Sequence, residues 1–325
     1  MNENIFPADA LDCVVTVAHK PLGDQGEDAF AFDFTRRSLH AQAVFDGCGG
    51  AGAWRYPEFF DRTGAFVSAQ TMARTFLDWV SGLDSALDDP SALAESFRAM
   101  AEATLKDLKG RASPMGVSGT LVKAFPSTAS VALLRPAGEG AVELTALNVG
   151  DSRVYFLTPG QGLVQLTRDD TRGRPDPMES LRESAPLSDM LNADKPFAVK
   201  ASRVVLPMPC AALCASDGMF GFLRSPMDFE HLLLDCLMRA DSVSAFEQDL
   251  RDRVVAVTGD DSTCVLSFYG WGSLPDMKRA LADRYRAVGA LVAQLDAAAP
   301  EELDALMDRL WDEYKEGDVY DERRE

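Results

Sequence analysis

The chain is punctuated by short apolar runs of strand length, and this pattern restricts the architectures open to it. Segment 11–18 (LDCVVTVA) is β-branched, and 28–34 (DAFAFDF) and 39–46 (LHAQAVFD) alternate or run apolar. Segments 128–135, 142–149, 152–157 and 163–166 read as a meander, with turns at Gly150-Asp151 and Pro159-Gly160. Further strands are expected at 202–206, 210–215 and 263–269. Helical spacing runs from about Tyr56 to Val80, from Asp89-Pro90 to about Lys109, and over 228–239. Antiparallel strand runs interrupted by paired helices imply two packed sheets with helices on their outer faces.

Two stretches depart from this pattern. Residues 168–200 are polar and irregular, with prolines at 175, 177, 186 and 196. A connection that long is commonly a functional lid. After Gly272 the strands cease. Leu281, Tyr285, Val288, Leu291, Val292 and Leu295 form one helical stripe, and Leu303, Leu306, Leu310, Trp311 and Tyr314 form a second. The expected organisation is a main domain over 1–272 and a C-terminal helical hairpin over 273–325, dispensable for chemistry.

Composition narrows the function. A net charge of −19, from 32 basic and 51 acidic side chains, repels phosphate backbones and anionic lipid heads. Neither nucleic acid nor a membrane is therefore an expected partner. The six cysteines form no CxxC pair, and the three histidines are far apart in sequence, which argues against a zinc site. No basic segment followed by an apolar stretch opens the chain, and no apolar run nears the roughly 20 residues that span a bilayer. The cytoplasm is the expected compartment.

Four acidic motifs stand at strand ends: Glu27-Asp28, Asp46-Gly47, Asp217-Gly218 and Asp260-Asp261. An Asp-Gly after one strand signals only a turn. Four acidic motifs at strand ends, where side chains converge on a sheet edge, form an oxygen-rich site suited to magnesium or manganese. The glycines after Asp46 let the backbone approach a cation and offer a carbonyl ligand.

The order of these motifs resembles the type 2C family of metal-dependent protein phosphatases, especially its bacterial branch. The resemblance rests on Glu27-Asp28-Ala29, Val44-Phe45-Asp46-Gly47-Cys48-Gly49-Gly50, Asn148-Val149-Gly150-Asp151-Ser152-Arg153, Leu166-Thr167-Arg168-Asp169-Asp170, Ala215-Ser216-Asp217-Gly218 and Gly259-Asp260-Asp261-Ser262. It covers about residues 11–270 and omits the hairpin. It implies an α+β, four-layer α-β-β-α sandwich of two antiparallel sheets. It implies hydrolysis of phosphoserine and phosphothreonine with two Mn2+ or Mg2+ ions and a metal-activated hydroxide. The substrate would be a phosphorylated protein, in opposition to a serine/threonine kinase. By this resemblance Asp46 bridges two cations, the Gly47 carbonyl binds one, Asp217 and Asp260 complete the other, and Glu27 and Asp28 hold metal-bound waters. The Asn148–Tyr155 segment is read as structural, with Asp151 and Arg153 pairing or capping a turn.

The sequence also departs from the family. Many members place arginine four residues before the Glu-Asp pair to grip phosphate; here that position is Gly23, with Lys20 nearby as a point-charge substitute. Cys48 stands where animal members carry histidine. No acidic residue lies between Asp107 and Glu139, where bacterial members supply a third-metal aspartate, so that site is expected to be missing or differently built. The competing readings are a catalytically weak regulatory or binding module, a small-molecule phosphomonoesterase, and an interaction protein that works through its hairpin.

Overall fold

The computed structural model describes all residues except 1–4, 8, 22, 24–25, 84–88, 114–121, 174–175, 183–185 and 317–325. In chain order it contains β1 (Leu11–His19), β2 (Ala29–Arg36), β3 (Leu39–Phe45), a short α1 (Gly49–Gly52), a hairpin of β4 (Arg55–Tyr56) and β5 (Arg62–Thr63), α2 (Gly64–Gly82) and α3 (Pro90–Arg111). There follow β6 (Ala129–Pro136), β7 (Ala141–Val149), β8 (Arg153–Thr158), β9 (Gly162–Gln165), a short α4 (Glu179–Arg182), β10 (Lys200–Pro207) and β11 (Cys210–Ala215). The chain continues through α5 (Pro226–Arg239), α6 (Val243–Val255), β12 (Ser262–Tyr269), α7 (Leu274–Ala297) and α8 (Leu303–Glu316).

The strands form two five-stranded antiparallel sheets, ordered β1-β12-β11-β8-β9 and β10-β7-β6-β3-β2. Three apolar layers hold them. Val44, Ala132, Leu144, Val154, Phe156 and Val265 fill the space between the sheets. Phe45, Met72, Phe76, Phe97 and Val131 join the second sheet to α2 and α3. Val15, Leu213, Phe229, Leu234, Phe246 and Leu266 join the first sheet to α5 and α6. The result is the expected four-layer sandwich. One polar side chain crosses the middle layer: buried Gln42 of β3 donates to the Ala212 and Val265 carbonyls, each at 3.0 Å, and accepts from Ser267 Oγ at 2.8 Å. A buried amide satisfied in this way fixes how the sheets face each other.

Two local expectations change. The helix expected from Tyr56 begins at Gly64, because Phe60 and Asp61 adopt left-handed φ values of 58° and 57° and close the β4–β5 hairpin. Thr63 then caps α2, its hydroxyl accepting from Phe66 N at 3.2 Å. Helix α6, unassigned from the sequence, buries Phe246, Leu250 and Val254 at four-residue spacing.

The C-terminal hairpin joins the outer helical layer. Arg284 of α7 binds Glu230 of α5 through two bonds of 2.7 Å, and Tyr314 of α8 donates to the same carboxylate at 2.6 Å. Leu281, Val288, Leu310, Trp311 and Tyr314 are buried in the same cluster as Tyr155 and Phe229, so the apolar layer continues past Gly272. Among the described residues no helix is long and apolar enough to cross a membrane.

Candidate active site

Both sheets present strand ends at one edge. β3 leads into Asp46, β11 into Ser216 and Asp217, Asp260 and Asp261 precede β12, Glu27 and Asp28 precede β2, and the β7–β8 turn carries Asp151. Register makes these ends neighbours: Ala29 faces Phe45 in one sheet, while Ala215 faces both Arg153 and Cys264 in the other. Seven carboxylates, from Glu27, Asp28, Asp46, Asp151, Asp217, Asp260 and Asp261, line a single cavity of about 260 Å³. Gly47, Cys48, Thr128 and Leu187 complete much of its wall.

Each acid is fixed by its own partners. The Asp46 carbonyl accepts from Thr128 N at 2.7 Å, which ties the end of β3 to the entry of β6. Position 47 has no room for a side chain: a Cβ there would lie 2.8 Å from both the Ala65 carbonyl oxygen and Glu27 Cβ. Asp28 is buried and accepts from Ser216 Oγ at 2.8 Å. Glu27 accepts from the Thr63 hydroxyl, and its backbone N–H donates to Asp261. The β4–β5 hairpin and the approach to β12 thus grip the same residue.

So many acids in one cavity strain its electrostatics. Burial, and then the charges of Asp28 and Asp217, push the Asp46 carboxyl well above the usual range. Burial raises Asp28 to about 7, against the hydrogen bond from Ser216 that favours its charged form. Burial and then Asp217 raise Asp151 to about 8. Asp217 is raised by burial and then by Asp260, and Glu27 chiefly by burial. Asp46 and Asp217 face the same cavity, and the charge of Asp217 acts on the Asp46 carboxyl. Carboxylates that share a cavity in this way repel one another unless protons or cations offset their charge. Among the described residues no three His, Cys, Asp or Glu side chains are already drawn onto one ion position. The acids ring the cavity rather than close on a point. The donor set is nonetheless all oxygen, carries excess negative charge, and fits hard divalent cations.

The structure gathers Glu27, Asp28, Asp46, Gly47, Asp217 and Asp260 on this cavity. Lys20 is not among the described lining residues; it folds back, its Nζ donating to the Gly26 carbonyl at 3.3 Å and lying 5.9 Å from the Phe66 ring centroid. Gly23 has φ +61°, and a Cβ there would meet no atom of the described residues within 4 Å. The left-handed backbone would still cost a side chain about 1–2 kcal/mol, so an arginine is disfavoured by conformation rather than by space. The expectation about a third-metal aspartate falls partly on residues 114–121, outside the described residues. Cys48 lines the cavity, and burial followed by Asp46 pushes its thiol well above its ordinary range, so it stays protonated.

Asp151 departs from the sequence reading. Arg153 does pair, its Nε and Nη2 donating to Asp169 at 3.0 and 2.6 Å, but Asp151 faces the cavity. The reason is topological: β7 belongs to one sheet and β8 to the other, so the turn between them crosses the mouth of the sandwich. Two bridges tie described residues of the 168–200 segment in place. Thr171 bridges to Leu187 and Leu191 to Ser127, which brings Leu187 into the cavity wall.

A family-level sequence profile, protein phosphatase 2C, matches residues 17–254. The chain belongs to the protein phosphatase 2C family. Its sandwich is the fold of the family's metal-dependent serine/threonine phosphatases, and solved structures agree. The serine/threonine phosphatase Stp1 from Staphylococcus aureus superposes with a TM-score of 0.60 at 15% identity, over 82% of this chain and 98% of that one. The serine/threonine phosphatase PstP/Ppp from Mycobacterium tuberculosis gives 0.55 at 17% identity, over 80% and 99%. The catalytic domain of PstP in complex with two manganese ions gives 0.53 at 18% identity, over 80% and 99%. No curated protein matches the sequence. The profile match ends before α7, so the hairpin lies outside the phosphatase 2C span.

Proposed function

We propose that this phosphatase hydrolyses phosphoserine and phosphothreonine esters of proteins, with two Mn2+ or Mg2+ ions held in the acidic cavity. The observation that carries the reading is the ring of seven carboxylates, built from strand ends of both sheets, that lines one cavity. When bound, two such cations supply positive charge for a phosphate monoester and lower the pKa of water. In this reading Asp46, Asp217, Asp260 and the Gly47 carbonyl hold them. Glu27 and Asp28, already fixed by Thr63 and Ser216, orient water around the site. Leu187, held by its bridge to Thr171, forms part of one wall. No side chain of the chain is required as a nucleophile. Lys20, held at the Gly26 carbonyl beside Glu27, is the proposed candidate for the phosphate of an incoming substrate.

A second reading, a regulatory module that binds cations without turnover, is favoured by one feature, the left-handed Gly23 at the usual arginine position. Hydrolysis of a chromogenic phosphate monoester separates the two. Manganese-dependent turnover abolished by chelation supports the phosphatase, and a panel of phosphoserine and phosphothreonine peptides against small phosphorylated metabolites then fixes the substrate class. Manganese-induced stabilisation with no turnover on any of them supports the module.

A further inference from the structure

Outside the cavity, polar contacts concentrate where the C-terminal hairpin meets the segment after β9. Trp311 Nε1 donates to Asp176 Oδ2 at 2.9 Å. The other oxygen of Asp176 accepts from the backbone N–H groups of Met178 and Glu179, both at 2.9 Å, and so sets the start of α4. Ser180 of α4 accepts from Arg153 Nη2 at 2.6 Å. The same guanidinium is engaged with Asp169 and lies 4.2 Å from the ring centroid of Phe220. Phe220 closes the single turn that begins at Asp217, its N–H donating to the Asp217 carbonyl at 3.0 Å. Arg153 itself stands two residues after Asp151. An unbroken path therefore runs from α8 to two of the lining acids.

Helix α8 is held firmly enough to act as the fixed end of that path. Arg182 at the end of α4 donates to Asp308 at 2.6 Å and to the Asp304 carbonyl at 3.2 Å. Tyr314 reaches across to Glu230 at 2.6 Å and to the Leu163 carbonyl at 3.2 Å. Between Arg153, Phe220, Pro177 and Trp311 remains a cavity of about 20 Å³, room for about one water molecule, so the helix, α4 and the guanidinium are close to contact throughout. The Arg153–Asp169 pair is almost fully buried, with 3% and 7% of each side chain exposed, so small displacements of α4 are passed to it rather than absorbed by solvent.

We propose that the hairpin is a working part of the site: Trp311 is a positioning residue that, through Asp176 and Ser180, holds Arg153 and thereby the carboxylates of Asp151 and Asp217. The proposal rests on the cation-dependent phosphatase reading and replaces the expectation of a dispensable tail. Partners that orient metal-holding groups from outside the ligand shell commonly change metal affinity or activity by about 10–100-fold when removed.

The test uses the full chain with Trp311→Phe, which keeps an aromatic ring but removes the N–H donor and part of the indole's buried volume, and with Asp176→Asn, which keeps the size of the side chain. Manganese titrations of ester hydrolysis should show half-saturation at roughly tenfold higher manganese in each variant. The KM for the ester and the melting temperature of the chelated protein should stay close to those of the parent. The double variant should be no worse than either single one, because both break the same path. Arg279→Ala, at an exposed position of α7, should change nothing. Unchanged manganese half-saturation in Trp311→Phe, or losses that simply follow melting temperature, would overturn the proposal. If the parent chain hydrolyses no ester, the phosphatase reading fails by itself. Calorimetric manganese binding then decides the tether: weaker binding in Trp311→Phe supports it and equal binding overturns it.

Discussion

Asp46→Asn is expected to remove hydrolysis by more than about 100-fold, since loss of a partner outside the ligand shell alone reaches that range. Asparagine matches aspartate in size, and the tie from the Asp46 carbonyl to Thr128 N uses the backbone, so the fold should survive. The substitution also removes one charge from a cavity where Asp28, Asp217, Asp151 and Asp260 all press on the Asp46 carboxyl. The chelated variant should therefore melt no lower than the parent, and added manganese should no longer raise its melting temperature. Turnover and thermal melts measured side by side test both halves. Turnover close to that of the parent would show that Asp46 does not hold the cations.

Stability without cations is expected to fall as pH rises from about 4 to 8. Asp28 and Asp151 titrate at about 7 and about 8 in the folded chain, whereas an unfolded aspartate titrates near 3.9. Their folded pKa values are raised, so the folded state retains protons that the unfolded state has released. The stability linked to those protons is fully present below about 4 and is lost as pH climbs through the folded values. Divalent cations compete with these protons, and their stabilisation should grow over the same interval. In chelator the melting temperature should drop between pH 5 and pH 8. Added manganese should restore it at pH 8 and do little at pH 5. Each kcal/mol corresponds to roughly 2–4 °C for domains of 150–250 residues, so the trend is measurable. A melting temperature that rises with pH in chelator would show that the ring is not electrostatically frustrated.

The sheets were legible because their strands are short, apolar and bounded by turns, and the main acids were legible because they stand beside those strands. Three features were not. The β4–β5 hairpin carries its turn on Phe60 and Asp61, neither a glycine, and its strands have two residues each, so the apolar spacing of Phe59 and Phe66 read as helix. Asp151 lies in a turn whose sequence reads as structural; its place in the cavity depends on β7 and β8 belonging to different sheets, which local pattern does not encode. The two stripes of the hairpin were plain, but what covers them was not. Their contact with α5 and α4 runs through Glu230, Asp176 and Arg182, residues that show no apolar periodicity.

The central claim is that the acidic cavity is a divalent-cation site, and manganese anomalous scattering from crystals grown with the ion tests it most directly. Manganese peaks are expected within the cavity lined by Asp46, Asp217 and Asp260, and none in crystals of Asp46→Asn. A cavity without manganese in the parent protein, or peaks that persist unchanged in the variant, would contradict it.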